Sequence, residues 1–335
     1  KANYIKRMAP TSFKAQHRGG KGIIGGTFKE EDEIRLIVHG NNYDELMYFT
    51  NKGRVFKLPI YEIPQASRQA KGQAIVNILQ LQEDEIITAI LNGGEQYSGE
   101  YLIMATRKGT IKKTAVAEFK NVRKNGLIAI KLRDDDSLEW VRQCSKDNEI
   151  MMISRNGKSI HFNEKDVRAM GRPSIGVRGI ALKDGDKVVE MDVITDTETA
   201  ELLVIMENGL GKMTKTMNYR LQSRGGTGVK TANITEKTGQ VVGAKILEAT
   251  TDGDLILMSK SGQTIRMHTK SIPSQGRATQ GVYLMRLRPK DKVASLSLVA
   301  LEIEPIKEEN PEDKQAKIVD EKEKKGDTEE KTPAK

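Results

Sequence analysis

The sequence predicts an all-β protein assembled from six repeated units of about four strands each, and three observations carry that expectation. Short apolar runs recur, each broken by a polar turn that ends in glycine: YFTNKGRVFK, IMATRKGTIKK, MISRNGKSIHF, VIMENGLGKM and LMSKSGQTIRM, with turn glycines Gly53, Gly109, Gly157, Gly209 and Gly262. A second glycine follows each hairpin, at Gly72, Gly126, Gly176, Gly228 and Gly281, 19 residues after the turn glycine in four copies and 17 in the third. The flanks are β-branched or aliphatic over short stretches, and no long window carries a helical period.

The hairpins come first in each unit. Asn156-Gly157 and Asn208-Gly209 predict type I′ turns, which need positive φ at both central residues. Two further strand-like segments follow each second glycine, such as Ala74–Leu81 and Glu85–Leu91 in the second copy. Fifty residues before Gly72 stands Gly22, and 19 before that stands Asn3, opening NYIKR as Gly53 opens GRVFK, which makes six copies. Four strands cannot bury a face alone, but six copies arranged radially can share their cores. The first copy begins at its turn and the sixth ends with Lys292–Leu301, so an upstream segment is expected to supply the first pre-turn strand. A WD-type repeat is excluded by its shorter period and by the single tryptophan, Trp140, and a kelch repeat by an aromatic content of 4%.

Charge is divided unevenly. The net charge is +9, but residues 1–301 hold 47 basic and 34 acidic side chains, while residues 302–335 hold 8 basic and 12 acidic ones. A basic body invites a polyanion, with nucleic acid the first candidate. The tail is too polar to bury a core, so residues 302–335 are expected to be a disordered acidic extension of a folded domain spanning 1–301. Cys144 is the only cysteine, which excludes an internal disulfide and a cysteine-cage metal site and suits a buried thiol in a reducing compartment. No apolar run is long enough for a membrane helix, and no signal peptide is evident. Asp134-Asp135-Asp136 reads as a solvated turn rather than a metal site, and His39, His161 and His268 read as ordinary strand or loop residues.

The loops ahead of the second glycines share a pattern. QHRGGKG (Gln16–Gly22), ASRQAKG (Ala66–Gly72), MGRPSIG (Met170–Gly176), QSRGGTG (Gln222–Gly228) and QGRATQG (Gln275–Gly281) each place an arginine four before the glycine: Arg18, Arg68, Arg172, Arg224 and Arg277. The shortened third copy has Val122 there, with Arg123 and Lys124 beside it. Glycines let a backbone approach a ligand closely, arginine bridges phosphate oxygens, and lysine acts as a point charge. The candidate DNA-contacting set is therefore Gln16, His17, Arg18, Gly19, Gly20, Lys21 and Gly22 in the first loop, with Lys6, Arg7, Lys14, Arg68, Lys71, Arg123, Lys124, Arg172, Arg178, Arg224, Lys230 and Arg277 elsewhere on the rim. Nothing in it suits base reading, so phosphate contacts independent of sequence are expected.

QHRGGKG resembles the seven-residue box of bacterial DNA gyrase A subunits, Q-[R/K]-R-G-G-[R/K]-G, in six of seven positions; the departure is His17. Together with YIKRMAPTSFKAQ before it, the repeat and the acidic tail, it makes residues 1–301 similar to the C-terminal domain of that family. The resemblance implies a six-bladed β-pinwheel, in which blades exchange a strand, and a domain that wraps double-stranded DNA so that the enzyme introduces negative supercoils. It also implies that Gln16, Arg18, Gly19, Gly20, Lys21 and Gly22 close the wrap against the last blade. The partners implied are the remainder of gyrase A, with gyrase B completing an A2B2 holoenzyme in the cytoplasm of a bacterium; ATP and Mg are used elsewhere in that enzyme. This chain holds no G-x-x-x-x-G-K-[S/T] loop and no tyrosine in a recognisable nucleophile setting, so on its own it is expected to be monomeric, cofactor-free and non-catalytic. Two other readings stay open: the equivalent domain of topoisomerase IV, whose box is degenerate or missing, and a protein-binding propeller scaffold.

Overall fold

The computed structural model describes residues 4–8, 36, 38, 40–67, 70–93, 100–122, 125–249 and 253–300. Among the described residues, all regular structure beyond single 3₁₀ turns is β. The strands are β1 (Tyr4–Ile5), β2 (Glu45–Thr50), β3 (Arg54–Pro59), β4 (Gln73–Ala74), β5 (Ile87–Asn92), β6 (Tyr101–Thr106), β7 (Thr110–Ala115), β8 (Leu127–Ile128), β9 (Leu138–Cys144), β10 (Glu149–Ser154), β11 (Lys158–Asn163), β12 (Val177–Arg178), β13 (Val188–Ile194), β14 (Glu201–Met206), β15 (Leu210–Lys215), β16 (Val229–Lys230), β17 (Val241–Leu247), β18 (Gly253–Ser259), β19 (Thr264–His268), β20 (Val282–Tyr283) and β21 (Val293–Ala300).

Each repeat from the second to the sixth contributes to two sheets. The sheet orders are β5-β2-β3-β8, β9-β6-β7-β12, β13-β10-β11-β16 and β17-β14-β15-β20, all antiparallel, and the outermost strand of each comes from the next repeat. Strand exchange between neighbouring blades is thus present throughout. The sixth repeat gives the three-stranded sheet β19-β18-β21, and β1 of the first repeat pairs only with β4 of the second. The described residues therefore contain five blades rather than the expected six, because the first repeat contributes only β1 to them.

The apolar runs of β2, β6, β10 and β14 are continuous because both faces of these strands are buried. Successive side chains face opposite ways, so one strand feeds two cores. In β10, Ile150 and Met152 join Ile103, Ala105 and Cys144, whereas Met151 and Ile153 join Leu202, Val204 and Met206. In β14, Leu203 and Ile205 pack with Leu255 and Leu257. Each such side chain stabilises the fold by about 1.5–3 kcal/mol on burial. Cys144 lies in one of these cores, and burial pushes its thiol up to about 12.

The hairpin turns differ from the expected type I′. Arg155-Asn156-Gly157 joins β10 to β11 as a three-residue loop in which Gly157 N–H donates to Ser154 O at 3.1 Å. Only Gly157 has positive φ (72°), since the positive-φ residues other than glycine are Asp84, Asp135, Asp147 and Lys290. A type I turn followed by a left-handed glycine accommodates asparagine without placing it at positive φ. Glu207-Asn208-Gly209 behaves alike, with Gly209 at φ 82°. A hydroxyl at the strand end steadies several of these turns, as Thr106 Oγ1 accepts from Thr110 N at 3.1 Å and Ser259 Oγ from Gln263 N at 3.1 Å. Asp136, in the acidic triplet, is a turn residue: its Oδ1 accepts from the N–H groups of Lys108 and Ser137, both at 2.9 Å.

The strands β5, β9, β13 and β17 pack in succession on the inner side of their blades, opposite the exchanged strands. An ion-pair network ties three of them. Arg142 on β9 donates to Asp192 at 2.9 Å and to Glu190 at 3.0 Å, both on β13, and Lys245 on β17 reaches Glu190 at 3.1 Å. Burial raises the Glu190 carboxyl, while for Asp192 the same burial is outweighed by Arg142 and Lys245, which hold it down.

Candidate nucleic-acid interface

The exchanged strands β8, β12, β16 and β20 form the outer edges of their sheets, and the loops bearing the recurring arginines lead directly into β12, β16 and β20. The glycine that ends each loop has a steric reason. Gly281 has φ 76°, and a Cβ there would lie 2.5 Å from the carbonyl oxygen of Gly211 on β15. The loop must cross the neighbouring blade's strand at backbone contact, which only glycine permits.

Successive loops and outer strands are stitched into a band. Arg224 donates from Nε to Asp166 O at 2.9 Å and from Nη1 to Arg178 O at 3.2 Å on the preceding outer strand. Arg277 repeats the second bond one repeat later, from Nη1 to Lys230 O at 3.2 Å. Backbone bonds run alongside: Lys131 N to Ser174 O at 3.2 Å, Ala181 N to Gly226 O at 2.8 Å and Asn233 N to Thr279 O at 3.1 Å. Arg172, Arg224 and Arg277 are half-buried, while Lys131, Arg178 and Lys230 are exposed on the same band. Arg224 and Arg277 thus spend some N–H groups on structure, whereas Arg172 Nε is buried without a hydrogen-bond partner, 3.8 Å from Glu118 Oε2.

The other expected positions divide. Lys6 donates to Ser67 O and, at 2.8 Å, to Ala70 O; Arg7 donates to Ile63 O and to Asn42 Oδ1. Both are partly occupied in bracing their own blade. Lys71 places its ammonium 4.2 Å from the centre of the Tyr4 ring. Lys14, Gln16, His17, Arg18, Gly19, Gly20, Lys21, Gly22, Arg68, Arg123 and Lys124 lie outside the described residues, as does His39. Of the other histidines, His161 is buried between Glu149, at 2.7 Å from Nε2, and the Tyr219 carbonyl, at 3.0 Å from Nδ1. His268 caps the turn at Thr269–Ser271 by accepting from Lys270 N.

Lys112 and Lys212 are absent from the set expected from sequence. Both are fully buried, and each reaches backbone carbonyls of the loop laid across its blade. Lys112 donates to Ala129 O at 2.7 Å and to Arg172 O; Lys212 donates to Gly276 O at 2.7 Å, to Arg277 O and to Thr279 Oγ1 at 3.1 Å. Burial, reinforced by Arg172 in one case and Arg277 in the other, brings each ammonium down to about 8. The signal was present in the sequence as a lysine three residues after a turn glycine.

A family model described as DNA gyrase C-terminal domain, beta-propeller, matches six segments of the chain: 1–37, 44–92, 100–145, 148–195, 200–248 and 253–300. The chain belongs to this family. The six segments coincide with the six sequence repeats, the first included. The DNA gyrase A protein of Staphylococcus aureus strain MRSA252 is 41% identical over 317 residues, covering 94% of this chain and 35% of the relative; that of strain NCTC 8325 is 40% identical over 315 residues. The chain therefore spans about a third of the length of these curated relatives. Among solved structures, the C-terminal domain of DNA topoisomerase IV superposes with a TM-score of 0.75 at 25% identity, covering 96% of each chain. The DNA gyrase A C-terminal domain superposes with a TM-score of 0.68 at 28% identity, covering 89% of this chain and 97% of that one. For a gyrase C-terminal β-propeller domain, the stitched rim is the surface on which basic side chains recur blade by blade. Among the described residues no helix is long and apolar enough to cross a membrane.

Proposed function

We propose that this domain binds double-stranded DNA through its phosphate backbone along the rim and wraps it, so that a gyrase holoenzyme introduces negative supercoils. The observation that carries the reading is the band itself: Arg172, Arg178, Arg224, Lys230 and Arg277 belong to successive loops and outer strands joined by direct hydrogen bonds. A stiff polyanion following a curved cationic track must bend. Smooth bending of a 20–30 base-pair site by 40–90° costs about 1–6 kcal/mol, which phosphate neutralisation and counterion release offset.

In this reading the first repeat completes a sixth blade. The edge strand β19 has no partner on its outer side among the described residues. By its resemblance to the gyrase box, QHRGGKG (Gln16–Gly22) is assigned to closing the track against the last blade. The domain works as a part of gyrase A, paired with gyrase B in an A2B2 enzyme of the bacterial cytoplasm; chemistry, ATP and Mg belong to other domains. QHRGGKG and the 41% identity to gyrase A favour gyrase over topoisomerase IV, despite the higher TM-score of the latter's domain.

Salt-titrated binding to random-sequence duplex tests the reading. With ~6–10 phosphate contacts, affinity is expected to fall ~10³–10⁵-fold between 50 and 200 mM salt. Weak binding with a shallow slope would instead favour a protein-binding scaffold.

A further inference from the structure

Superposing the repeats by their turn glycines brings six side chains to one position, three residues after the turn: Lys6, Phe56, Lys112, Ile160, Lys212 and Ile265. The register of the exchanged strand supports the alignment. Ile5, Val55, Ile111, Ser159 and Gly211, each one residue earlier, pair with Gln73, Leu127, Val177, Val229 and Val282, each the first residue after a second glycine. Lysine and a bulky apolar residue therefore alternate strictly around the repeats. Where the residue is lysine, its ammonium takes carbonyls of the loop crossing that blade, in 66–72, 170–176 and 275–281 respectively. Where it is Ile160, the crossing loop 222–228 carries Gly225-Gly226, and a Cβ on Gly226 would meet Ile160 Cδ1 at 3.7 Å.

We propose that Lys6, Lys112 and Lys212 are positioning residues that clamp the rim loops of alternate blades from beneath, giving the rim two classes of DNA-contacting loop. The proposal rests on the DNA-wrapping reading above. Turning loop carbonyls onto a cation, fully buried at Lys112 and Lys212 and half-buried at Lys6, fixes the loop backbone and keeps those acceptor oxygens away from approaching phosphates. Hydrogen bonds to a charged group are stronger than those between neutral groups, and Lys212 commits three of them. The loop over Ile160 has no such clamp and carries Arg-Gly-Gly, in QSRGGTG. Loop 222–228 is held by neutral backbone bonds and by Arg224 at the surface, whereas loops 170–176 and 275–281 are held in addition by a buried cation.

The charged state of Lys112 and Lys212 is lost on raising the pH through about 8. The groups facing Lys112 are Arg172 and Glu118, and Arg277 faces Lys212. Hydrogen exchange on the unmodified full chain at pH 7 and pH 9, corrected for intrinsic rates, reads the clamp directly. Loops 170–176 and 275–281 are expected to exchange about tenfold faster, relative to loop 222–228, at the higher pH. Equal changes in all three loops would overturn the proposal whether or not the domain bends DNA. The double variant Lys112→Ile, Lys212→Ile places in both blades the residue that the fourth already uses, so the fold is expected to persist. In a nicked-circle ligation assay the unmodified chain should lose linking-number change between pH 7 and 9, while the double variant should be several-fold weaker at pH 7 and insensitive to pH over that range. A variant matching the unmodified chain at both pH values would overturn the clamp. An unmodified chain with no linking-number change at either pH would instead overturn the wrapping reading.

Discussion

Replacing Gln16–Gly22 with alanine in the reassembled holoenzyme is expected to abolish negative supercoiling while relaxation of supercoiled DNA persists. The reasoning runs from geometry in the other repeats. The loops ending at Gly72, Gly176, Gly228 and Gly281 cross the neighbouring blade at backbone contact with no room for a Cβ and feed the exchanged outer strand, as at Gly228, where a Cβ would lie 2.3 Å from Ser159 O. On the proposed reading, in which QHRGGKG closes the track, the alanines remove the two charges of Arg18 and Lys21 and the glycine at the position equivalent to Gly228. DNA would still reach the remaining loops, but its path would no longer be fixed, and without a fixed path strand passage has no preferred sign. Gel assays of supercoiling and relaxation on the same preparation decide the matter. Unimpaired supercoiling would transfer the assignment to the topoisomerase IV type of domain.

Arg142→Ala is expected to be the most destabilising change of a partly exposed side chain, costing roughly 3 kcal/mol, at the lower end of the 3–5 kcal/mol typical for breaking a buried pair. Arg142 bridges Glu190 and Asp192, whose side chains are 9% and 16% exposed, and its removal leaves Asp192 buried with one strong partner fewer. Lys245 continues to neutralise Glu190, which is why the lower end applies. The sign with pH follows from Asp192, held below the usual carboxylate range in the folded protein. Its contribution is present above the unfolded pKa and is lost as the pH falls through the folded one, so the gap between variant and parent should narrow in acid. Urea unfolding at neutral and acid pH measures both effects. An unchanged midpoint at neutral pH would show the network to be energetically idle.

Much of this architecture can be read from the sequence because the repeat is written in two kinds of glycine. Gly157 marks a turn and Gly176 a backbone crossing, and both follow from sterics that no other residue satisfies. The apolar run Ile150–Ile153 read as a strand, but not as one buried on both faces whose alternate side chains serve two different cores; that depends on how the blades stack. Asn156-Gly157 suggested a two-residue turn because the dipeptide is shared by both turn types, and only the strand register separates them. At the rim, Arg224 and Arg277 were legible as recurring cations, yet their bonds to Arg178 O and Lys230 O were not, since these join residues about 46 positions apart. Lys112 and Lys212 escaped notice because a lysine within a strand reads as a solvent-facing residue; burial against the carbonyls of a crossing loop is a tertiary property.

Ligating nicked circular DNA with the domain bound, then removing the protein and counting linking number, tests the central claim most directly. A curved, one-handed track requires topoisomers displaced in a single direction, by an amount that grows with protein added and disappears at high salt. A distribution identical to the protein-free control, at protein concentrations where the DNA is saturated, would mean that the rim binds without wrapping.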